Sequence, residues 1–397
     1  MQVFTGSGKP AQILSNKIRS GKGDHMKTTI SVIKADTGSV GGHNRPSDAM
    51  VAKAKERTTD AIKSGLLSDA RVTFTGDDIA ILMIHSLGTD NPDIHKFAWE
   101  TFVQTSEIAK SQGLYGAGQD LLKDAFSGNV RGMGPGSAEM EIEERPAEPF
   151  VVFAGDKCGP GVFNHPLFSA FADPYHNAGL LLAPEMRAGF TYTIMDVNHT
   201  EHDKVITLKV PEDYYDIATL LRDPNRYIIE SVTENASGLI AAVASTSRLH
   251  NIAGKYVGKD DPVAIVRSQK MFPSTGEILS PWALAQYTLG DNRGSHHVAV
   301  MPVKQNTIIS FFDGPTIMSA AGYCVHEGKL TEAVDLFDQP FWDVIRQKAA
   351  EKTLAMREQG FFNPAMGPQD EMEYTGVMEN LKRLDAKFIK RNDKSAT

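Results

Sequence analysis

The sequence predicts a single-domain α/β fold with α+β character, and three observations lead to this prediction. Short β-rich runs alternate with helical patterns along the chain, and clusters of turn residues separate the two. The segment 190–210 has the pattern of two strands around a polar turn, so antiparallel pairs accompany any parallel strands. The chain contains neither an internal repeat nor a linker long enough to mark a domain boundary.

The predicted strands and helices follow in chain order. The β-rich runs are TTISVIKA (28–35), ARVTFT (70–75), PFVVFA (149–154) and NTIISFF (306–312). Helices are predicted over 47–64, 91–112, 338–359 and about 377–389. Pro92 and Pro340 suit the first turns of two of these helices, because a proline there removes no helical hydrogen bond.

Composition and charge exclude several classes of protein. Of 397 residues, 41% are hydrophobic and 23% are charged, which is ordinary for a globular protein. A formal net charge of −8 and a pI near 5.9 argue against binding to nucleic acid or to an anionic membrane, since either partner needs a basic surface. Only Cys158 and Cys324 are present, so we expect buried thiols in a reducing compartment rather than a disulfide framework.

The ends of the chain and its apolar runs predict a cytoplasmic protein. No run approaches the roughly 18 apolar residues of a membrane span, and residues 1–25 lack the apolar centre of a signal peptide. Residues 1–25 are predicted to be a flexible N-terminal extension, 26–387 the folded catalytic domain, and 388–397 a frayed tail.

Aspartates repeatedly follow the strand-like runs, next to glycine or another small residue. These are Asp36, Asp77, Asp78, Asp156 and Asp313, and the segment 259–261 adds Lys259, Asp260 and Asp261. Residues at strand ends converge at one edge of a sheet, where α/β proteins commonly bind ligands. In one pocket, six of these carboxylates would repel one another unless about three divalent cations neutralised them, and oxygen ligands favour Mg²⁺. The six are Asp36, Asp77, Asp78, Asp156, Asp260 and Asp261. The pattern therefore predicts a magnesium site that binds phosphate and activates water.

Each of these residues, taken alone, also permits a structural interpretation. An aspartate after a strand is often a helix cap or a turn former. Lys259 either becomes a nucleophilic amine once metal ions occupy its neighbouring carboxylates, or pairs with a phosphate or carboxylate. Tyr256 is either the proton shuttle of Lys259 or a half-buried aromatic, and His43, on a glycine-rich turn, either shares an ion with Asp36 or does not.

Taken together and in order, seven motifs resemble the archaeal-type bifunctional fructose-1,6-bisphosphate aldolase/phosphatase family. The motifs are KADTGSVGGH, FTGDDIAIL, LYGAGQD, FAGDKCGPG, YVGKDDP, DNRGSHH and FFDGP, and the likeness runs from Met26 to about Lys387. The resemblance implies a gluconeogenic enzyme that joins dihydroxyacetone phosphate to glyceraldehyde 3-phosphate and then removes the C1 phosphate, giving fructose 6-phosphate. It also implies a four-layer α-β-β-α sandwich with mixed sheets and a homo-octamer.

The resemblance further implies roles for individual residues. Lys259 would form the Schiff base, Tyr256 would be the aldolase acid/base, and Asp36 would accept the proton in the phosphatase step. The implied ligands of about three or four Mg²⁺ ions are Asp36, His43, Asp77, Asp78, Gln119, Asp156, Asp260 and Asp261. The implied substrate contacts are His43, Tyr115, Gly128, Asn129, Asp156, Lys157, Gln269, Lys270, Arg293, Asp313 and Tyr374.

Two other functions remain compatible with the same residues. In a magnesium-dependent sugar bisphosphatase without aldolase activity, Lys259 would only anchor a phosphate and would form no covalent adduct. A catalytically silent sugar-phosphate sensor would keep the pocket and signal through its oligomer. The presence of every expected acid, base and metal ligand argues against the sensor.

Overall fold

Two β-sheets packed face to face form the centre of the protein, with helices against both outer surfaces. The computed structural model describes residues 27–118, 121, 134–198, 203–224, 226–245, 261–283, 291–292, 296–297, 300–308, 315–358 and 376–391. None of the helices in these ranges is long and apolar enough to cross a membrane.

In the described part of the chain, the smaller sheet has four antiparallel strands in the order β2-β3-β1-β4. Its strands are β1 (Lys27–Asp36), β2 (Asp69–Thr75), β3 (Asp78–His85) and β4 (Gly136–Glu143). Helices α1 (Asp48–Lys63) and α2 (Pro92–Ser111) cover its outer face. The Ser47 side chain caps the first helix and Asn91 caps the second, each accepting backbone N–H groups that would otherwise lack a partner.

Within the described residues, the larger sheet has eleven strands, and its main path runs β13-β14-β5-β10-β9-β8-β6-β7-β17. Its strands are β5 (Glu148–Asp156), β6 (Phe190–Asp196), β7 (Asp203–Lys209), β8 (Tyr227–Glu234), β9 (Ile240–Ala244), β10 (Val263–Arg267), β13 (Met301–Val303), β14 (Ile317–His326), β15 (Lys329–Leu330), β16 (Val334–Asp335) and β17 (Ile389–Arg391). Among the described strands, β13 and β14 form the one parallel pair, so the sheet is mixed. A separate short hairpin joins β11 (Asp291–Asn292) to β12 (His296–His297).

The remaining helices lie on the outer face of the larger sheet. They are α3 (Asn164–Phe171), α4 (Gly179–Leu182), a 3-10 turn at Pro184–Met186, α5 (Tyr214–Leu221), α6 (Thr275–Ala283), α7 (Pro340–Glu358) and α8 (Gly376–Asp385). Apolar residues of α3, α5 and α6 pack on this face, and Trp342 and Leu384 bring α7 and α8 into the same core. The layer order is therefore helix, sheet, sheet, helix, which confirms the predicted four-layer sandwich.

Side chains alternate across both sheets, because successive residues of a strand point to opposite faces. In β1, Ile30 and Val32 fill the space between the sheets, whereas Ile33 and Ala35 face α1 and α2. Each fully buried aliphatic side chain of this kind contributes roughly 1.5–3 kcal/mol to stability. The central strands are consequently apolar on both faces, and the polar residues at their ends stand out.

Two predicted elements differ from the structure. The helix predicted over 377–389 ends at Asp385, and Ile389–Arg391 instead pairs with β7 as an edge strand at the start of the predicted tail. In the run NTIISFF, residues 306–308 form no strand, and the strand of this region lies earlier, at Met301–Val303. Sequence periodicity cannot separate an edge strand from a loop when the apolar run is short.

Candidate active site

Four of the predicted aspartates meet where the two sheets end together. Asp36 closes β1 and is the register partner of Asp78, the first residue of β3. Asp77 lies in the two-residue turn between β2 and β3. Asp156 ends β5 in the other sheet, yet its Oδ2 accepts a hydrogen bond of 3.1 Å from the Asp77 backbone N–H. The cluster therefore joins the two sheets.

Glycine at position 76 makes this junction possible. Gly76 has φ +58°, a conformation that side chains disfavour, and its N–H donates to the Thr307 carbonyl at 2.9 Å. A Cβ here would lie 1.6 Å from Asp156 Oδ2. The motif FTGDD thus needs its glycine both for the turn and for the close approach of the Asp156 carboxylate.

His43 reaches the cluster from the glycine-rich turn that follows β1. Its Nδ1 lies 3.0 Å from Asp77 Oδ2, and its ring packs edge-on against Tyr115 with centroids 4.8 Å apart. Two backbone hydrogen bonds between Ser39 and Tyr115, of 2.9 and 3.2 Å, tie the two loops together. The structure therefore favours the interpretation that His43 belongs to the site, and places Tyr115 beside it.

Two buried lysines bring positive charge into the cluster. Lys157 Nζ lies 2.9 Å from Asp77 Oδ1 and 3.1 Å from Asp156 Oδ1, and only 2% of its side chain is exposed. Lys34, 1% exposed, donates to Asp78. The sequence reasoning missed Lys34, although its position two residues before Asp36 places both on one face of β1.

Burial and neighbouring charges shift the pKa values of this cluster in opposite directions. Burial, reinforced by the nearby Asp77, Asp78 and Asp261 carboxylates, raises the pKa of Asp156 well above its usual value in spite of the Lys157 ammonium. Burial would raise the pKa of Asp77 as well. The Lys157 ammonium and the hydrogen bond with His43 have the larger effect, so the pKa of Asp77 is lowered. Burial would lower the pKa of Lys157, yet the surrounding carboxylates raise it well above the usual value, so the ammonium stays charged.

Asp261 is fixed to the end of β5 by a reciprocal pair of hydrogen bonds. Its Oδ1 accepts from the Cys158 N–H at 2.8 Å, and its own N–H donates to the Cys158 carbonyl at 2.8 Å. Burial raises the pKa of the Cys158 thiol well above its usual value, so this cysteine is a packing residue and not a nucleophile. Asp261 therefore lies close to Lys157.

Comparison with known proteins gives the family. The family model described as Fructose-1,6-bisphosphatase matches residues 27–389. A Thermus thermophilus protein named fructose-1,6-bisphosphate aldolase/phosphatase is 54% identical over 363 residues, which cover 91% of this chain and 100% of the relative. The chain belongs to the fructose-1,6-bisphosphate aldolase/phosphatase family.

Two further relatives carry the same name as the Thermus protein. The one from Ignicoccus hospitalis is 48% identical over 364 residues, covering 91% of this chain and 93% of the relative. The one from Methanothermobacter marburgensis is 46% identical over 364 residues, covering 91% of this chain and 99% of the relative. The family predicted from the seven motifs is confirmed.

The described residues of this aldolase/phosphatase family member fit a hard divalent cation. Ligand atoms of Asp36, His43 and Asp77 lie within 4.8 Å of one another, and so do those of Asp77, Asp78 and Asp156. Within the described residues, Asp156 Oδ1 is buried without a hydrogen bond, and the Lys157 ammonium lies 3.1 Å from it. Lys157 and Lys34 neutralise only part of the charge of the buried aspartates, so a divalent cation would balance the rest.

Two predicted substrate residues of this family member lie far from the cluster within the chain. Val263, at the start of β10, pairs with Ala154 beside the site, whereas Arg267 at its other end pairs with Phe150. At about 3.3 Å per residue the strand alone separates them by about 13 Å. Gln269 and Lys270 follow Arg267, so the chain does not bring them to its own carboxylates.

The other predicted site residues of this family member lie outside the described residues. They are Gln119, Gly128, Asn129, Tyr256, Lys259, Asp260, Arg293, Asp313 and Tyr374. Of the predicted metal ligands, the structure brings together Asp36, His43, Asp77, Asp78 and Asp156, with Asp261 adjacent to Asp156 and Lys157.

Proposed function

We propose that this protein both synthesises fructose 1,6-bisphosphate from two triose phosphates and hydrolyses its C1 phosphate. The observation that carries the proposal is the buried group of four aspartates and His43 at the joined ends of the two sheets. The relatives are named for both activities, aldolase and phosphatase, and the matched family is named for the phosphatase activity, which supports the proposal. The fructose 6-phosphate that results would serve gluconeogenesis.

Mg²⁺ is the cation that we propose for this site. Within the described residues, the ammonium groups of Lys34 and Lys157 neutralise two of five carboxylates, which leaves three negative charges, and Asp260 would add a fourth. The five carboxylates are those of Asp36, Asp77, Asp78, Asp156 and Asp261. Two Mg²⁺ ions would balance these charges, and a third or fourth would be favoured once substrate phosphates bring further negative charge. When bound, the ions would polarise phosphoryl oxygens and lower the pKa of coordinated water.

In the phosphatase step, Asp36 would accept a proton from the attacking water. Its Oδ1 already accepts the Gly38 N–H at 2.9 Å, so the carboxylate is held in one orientation at the end of β1. Lys157 and His43 would contact the C1 phosphate, because both project into the cluster from loops at the sheet ends. A charged, immobilised ammonium stabilises negative charge on a transferring phosphoryl group.

In the aldolase step, the amine of Lys259 would attack the ketone of dihydroxyacetone phosphate and release water to form an iminium ion. This ion withdraws electrons from the neighbouring carbon, which loses a proton and attacks the aldehyde of glyceraldehyde 3-phosphate. Water would then hydrolyse the iminium of the product, which releases fructose 1,6-bisphosphate and restores the lysine amine. Tyr256 would carry the protons of this step. The support lies in the motif YVGKDDP and in Asp261, whose bonds to Cys158 anchor the chain two residues after Lys259.

We further propose a cytoplasmic homo-octamer. The separation of Gln269 and Lys270 from the carboxylates of their own chain supports an arrangement in which a neighbouring copy supplies these two side chains. The two free cysteines, Cys158 and Cys324, agree with a reducing compartment.

Two assays on the full chain test the proposal. Phosphate release from fructose 1,6-bisphosphate should require Mg²⁺ and should stop in EDTA; a protein that releases none and also forms no adduct in the second assay would be a sensor. Borohydride reduction in the presence of dihydroxyacetone phosphate should trap a triose on Lys259, as mapped by peptide mass spectrometry, and Lys259→Ala is the control. Phosphate release without a trapped adduct would identify a bisphosphatase that has no aldolase activity.

A further inference from the structure

The turn that carries Gln269 and Lys270 has an unfavourable backbone conformation. The two residues have φ values of +71° and +63°, although neither is glycine. Side chains rarely adopt this left-handed conformation, and two in succession require support from the surrounding structure. Both residues are exposed, so the support must act through the backbone.

Arg145, in the loop between β4 and β5, provides side-chain support for this turn, in addition to the backbone hydrogen bonds of Gln269 with Pro273 and Phe272. Its Nη1 donates to the Gln269 carbonyl at 2.9 Å and its Nη2 to the Ser268 carbonyl at 3.0 Å. The same guanidinium donates to both oxygens of Glu148, at 2.9 and 2.8 Å. With 10% of its side chain exposed and its donors engaged in these bonds, Arg145 is a poor candidate for a direct substrate contact.

A second arginine offers an internal comparison. Arg267 also donates to both oxygens of Glu148, at 2.9 and 2.7 Å, and both guanidinium groups lie over the Phe272 ring, at 4.9 and 4.7 Å from its centroid. Its remaining bond, however, goes to Ile240 and not to the turn. The two arginines therefore share a carboxylate and an aromatic ring, and differ in that Arg145 alone of the two donates to the carbonyls of Ser268 and Gln269.

We propose that Arg145 is a positioning residue, which holds the 268–270 turn so that Gln269 and Lys270 present their side chains to a phosphate group of the sugar substrate. Drawing two successive carbonyls toward Arg145 fixes the backbone and leaves both side chains on the exposed surface. Two guanidinium groups on one carboxylate leave a positive charge behind Lys270, which suits a phosphate dianion. The inference rests on the proposed function, in which this turn contacts substrate.

The test compares Arg145→Lys with Arg267→Lys in Mg²⁺-dependent phosphate release. Lysine keeps the charge but not the planar set of donors that spans two carbonyls and a carboxylate. We expect Arg145→Lys to raise KM for fructose 1,6-bisphosphate about tenfold and to change kcat by no more than about twofold. The reason is that the turn binds the substrate and the transition state equally, so a misplaced turn weakens both to the same extent. Arg267→Lys should leave KM unchanged, and melting temperatures of both variants will show any loss of stability.

A double-mutant cycle separates positioning from a general structural effect. In a Gln269→Ala, Lys270→Ala background, Arg145→Lys should change KM no further, because the side chains that it positions are gone. An unchanged KM in Arg145→Lys, beside a raised KM in the double alanine variant, would overturn the inference and leave the proposed function intact. Absence of phosphate release from the unaltered protein would overturn both. Should Arg145→Lys not fold, Arg145→Gln keeps one amide donor and replaces it.

Discussion

Removal of the Lys34 ammonium should destabilise the metal-free protein and should be largely reversed by Mg²⁺. The side chains of Lys34 and Asp78 are 1% and 2% exposed and form an ion pair at the edge of the cluster. Lys34→Met keeps the length of the side chain and leaves the Asp78 carboxylate buried without this cation. Removing one partner of a buried ion pair typically costs about 3–5 kcal/mol.

A second estimate of the magnitude comes from protonation. At pH 7 the variant would avoid an uncompensated buried charge by protonating the Asp78 carboxylate. Protonating an ordinary aspartate at that pH costs about 4 kcal/mol. For a chain of 397 residues, with an unfolding entropy of about 2.1 cal/mol/K per residue, this corresponds to a fall in melting temperature of about 5 °C. The penalty should shrink toward pH 5, where protonation costs only about 1.5 kcal/mol.

Differential scanning calorimetry in EDTA and in saturating Mg²⁺ measures this effect. Mg²⁺ near Asp78 would replace the missing ammonium, so the difference between variant and unaltered protein should be smaller with the metal. Lys27→Met is the matched control, because Lys27 pairs with Glu141 on the surface and its loss should shift neither melt. An equal loss of stability in EDTA and in Mg²⁺ would show that Lys34 only packs against its neighbours and takes no part in the charge balance.

Three further predictions follow from single residues. Gly76→Ala should lower Mg²⁺-dependent phosphate release about 10–100-fold by displacing the Asp156 carboxylate, whereas Gly65→Ala, with φ +82° but open space around it, should leave the activity unchanged. Burial lowers the pKa of His85 to about 4, so the unfolded chain binds a proton that the folded protein does not below about pH 6.5; stability to urea should fall about 2 kcal/mol from pH 7 to 5, and less in His85→Gln. Asn91→Ala should remove about 1 kcal/mol of stability without changing KM, since it only uncaps α2.

Local sequence patterns predicted the parts of this fold that local forces determine. The bounds of α1 and α2 were predicted to within one residue, because capping residues and a first-turn proline mark their starts. The strand Ile389–Arg391 was missed because it forms by pairing with β7, and three residues are too few to show a strand pattern in the sequence. The short strand Met301–Val303 was missed for the same reason.

The same distinction between local patterns and tertiary contacts applies to the candidate site. Aspartates at strand ends could be grouped from sequence because sheets bring strand ends together, and Asp36, Asp77, Asp78 and Asp156 do meet. Strand alternation places Lys34 on the same face of β1 as Asp36, but its pairing with Asp78 could not be predicted, because it depends on the register between β1 and β3. Nor could the sequence reveal that Gln269 and Lys270 stand at the opposite end of β10.

The position of Gly76 and Asp77 links metal binding to the packing of the two sheets. The hairpin turn belongs to the smaller sheet, but it contacts Asp156 at the end of a strand of the larger sheet, and the Thr307 carbonyl in the loop after β13. Without metal, the contact depends on Lys157, whose ammonium lies between one carboxylate from each sheet. A cation shared by Asp77 and Asp156 would strengthen the same contact, because it would neutralise both carboxylates at once. Metal binding should therefore slow amide hydrogen exchange at the facing ends of β3 and β5 more than at their far ends.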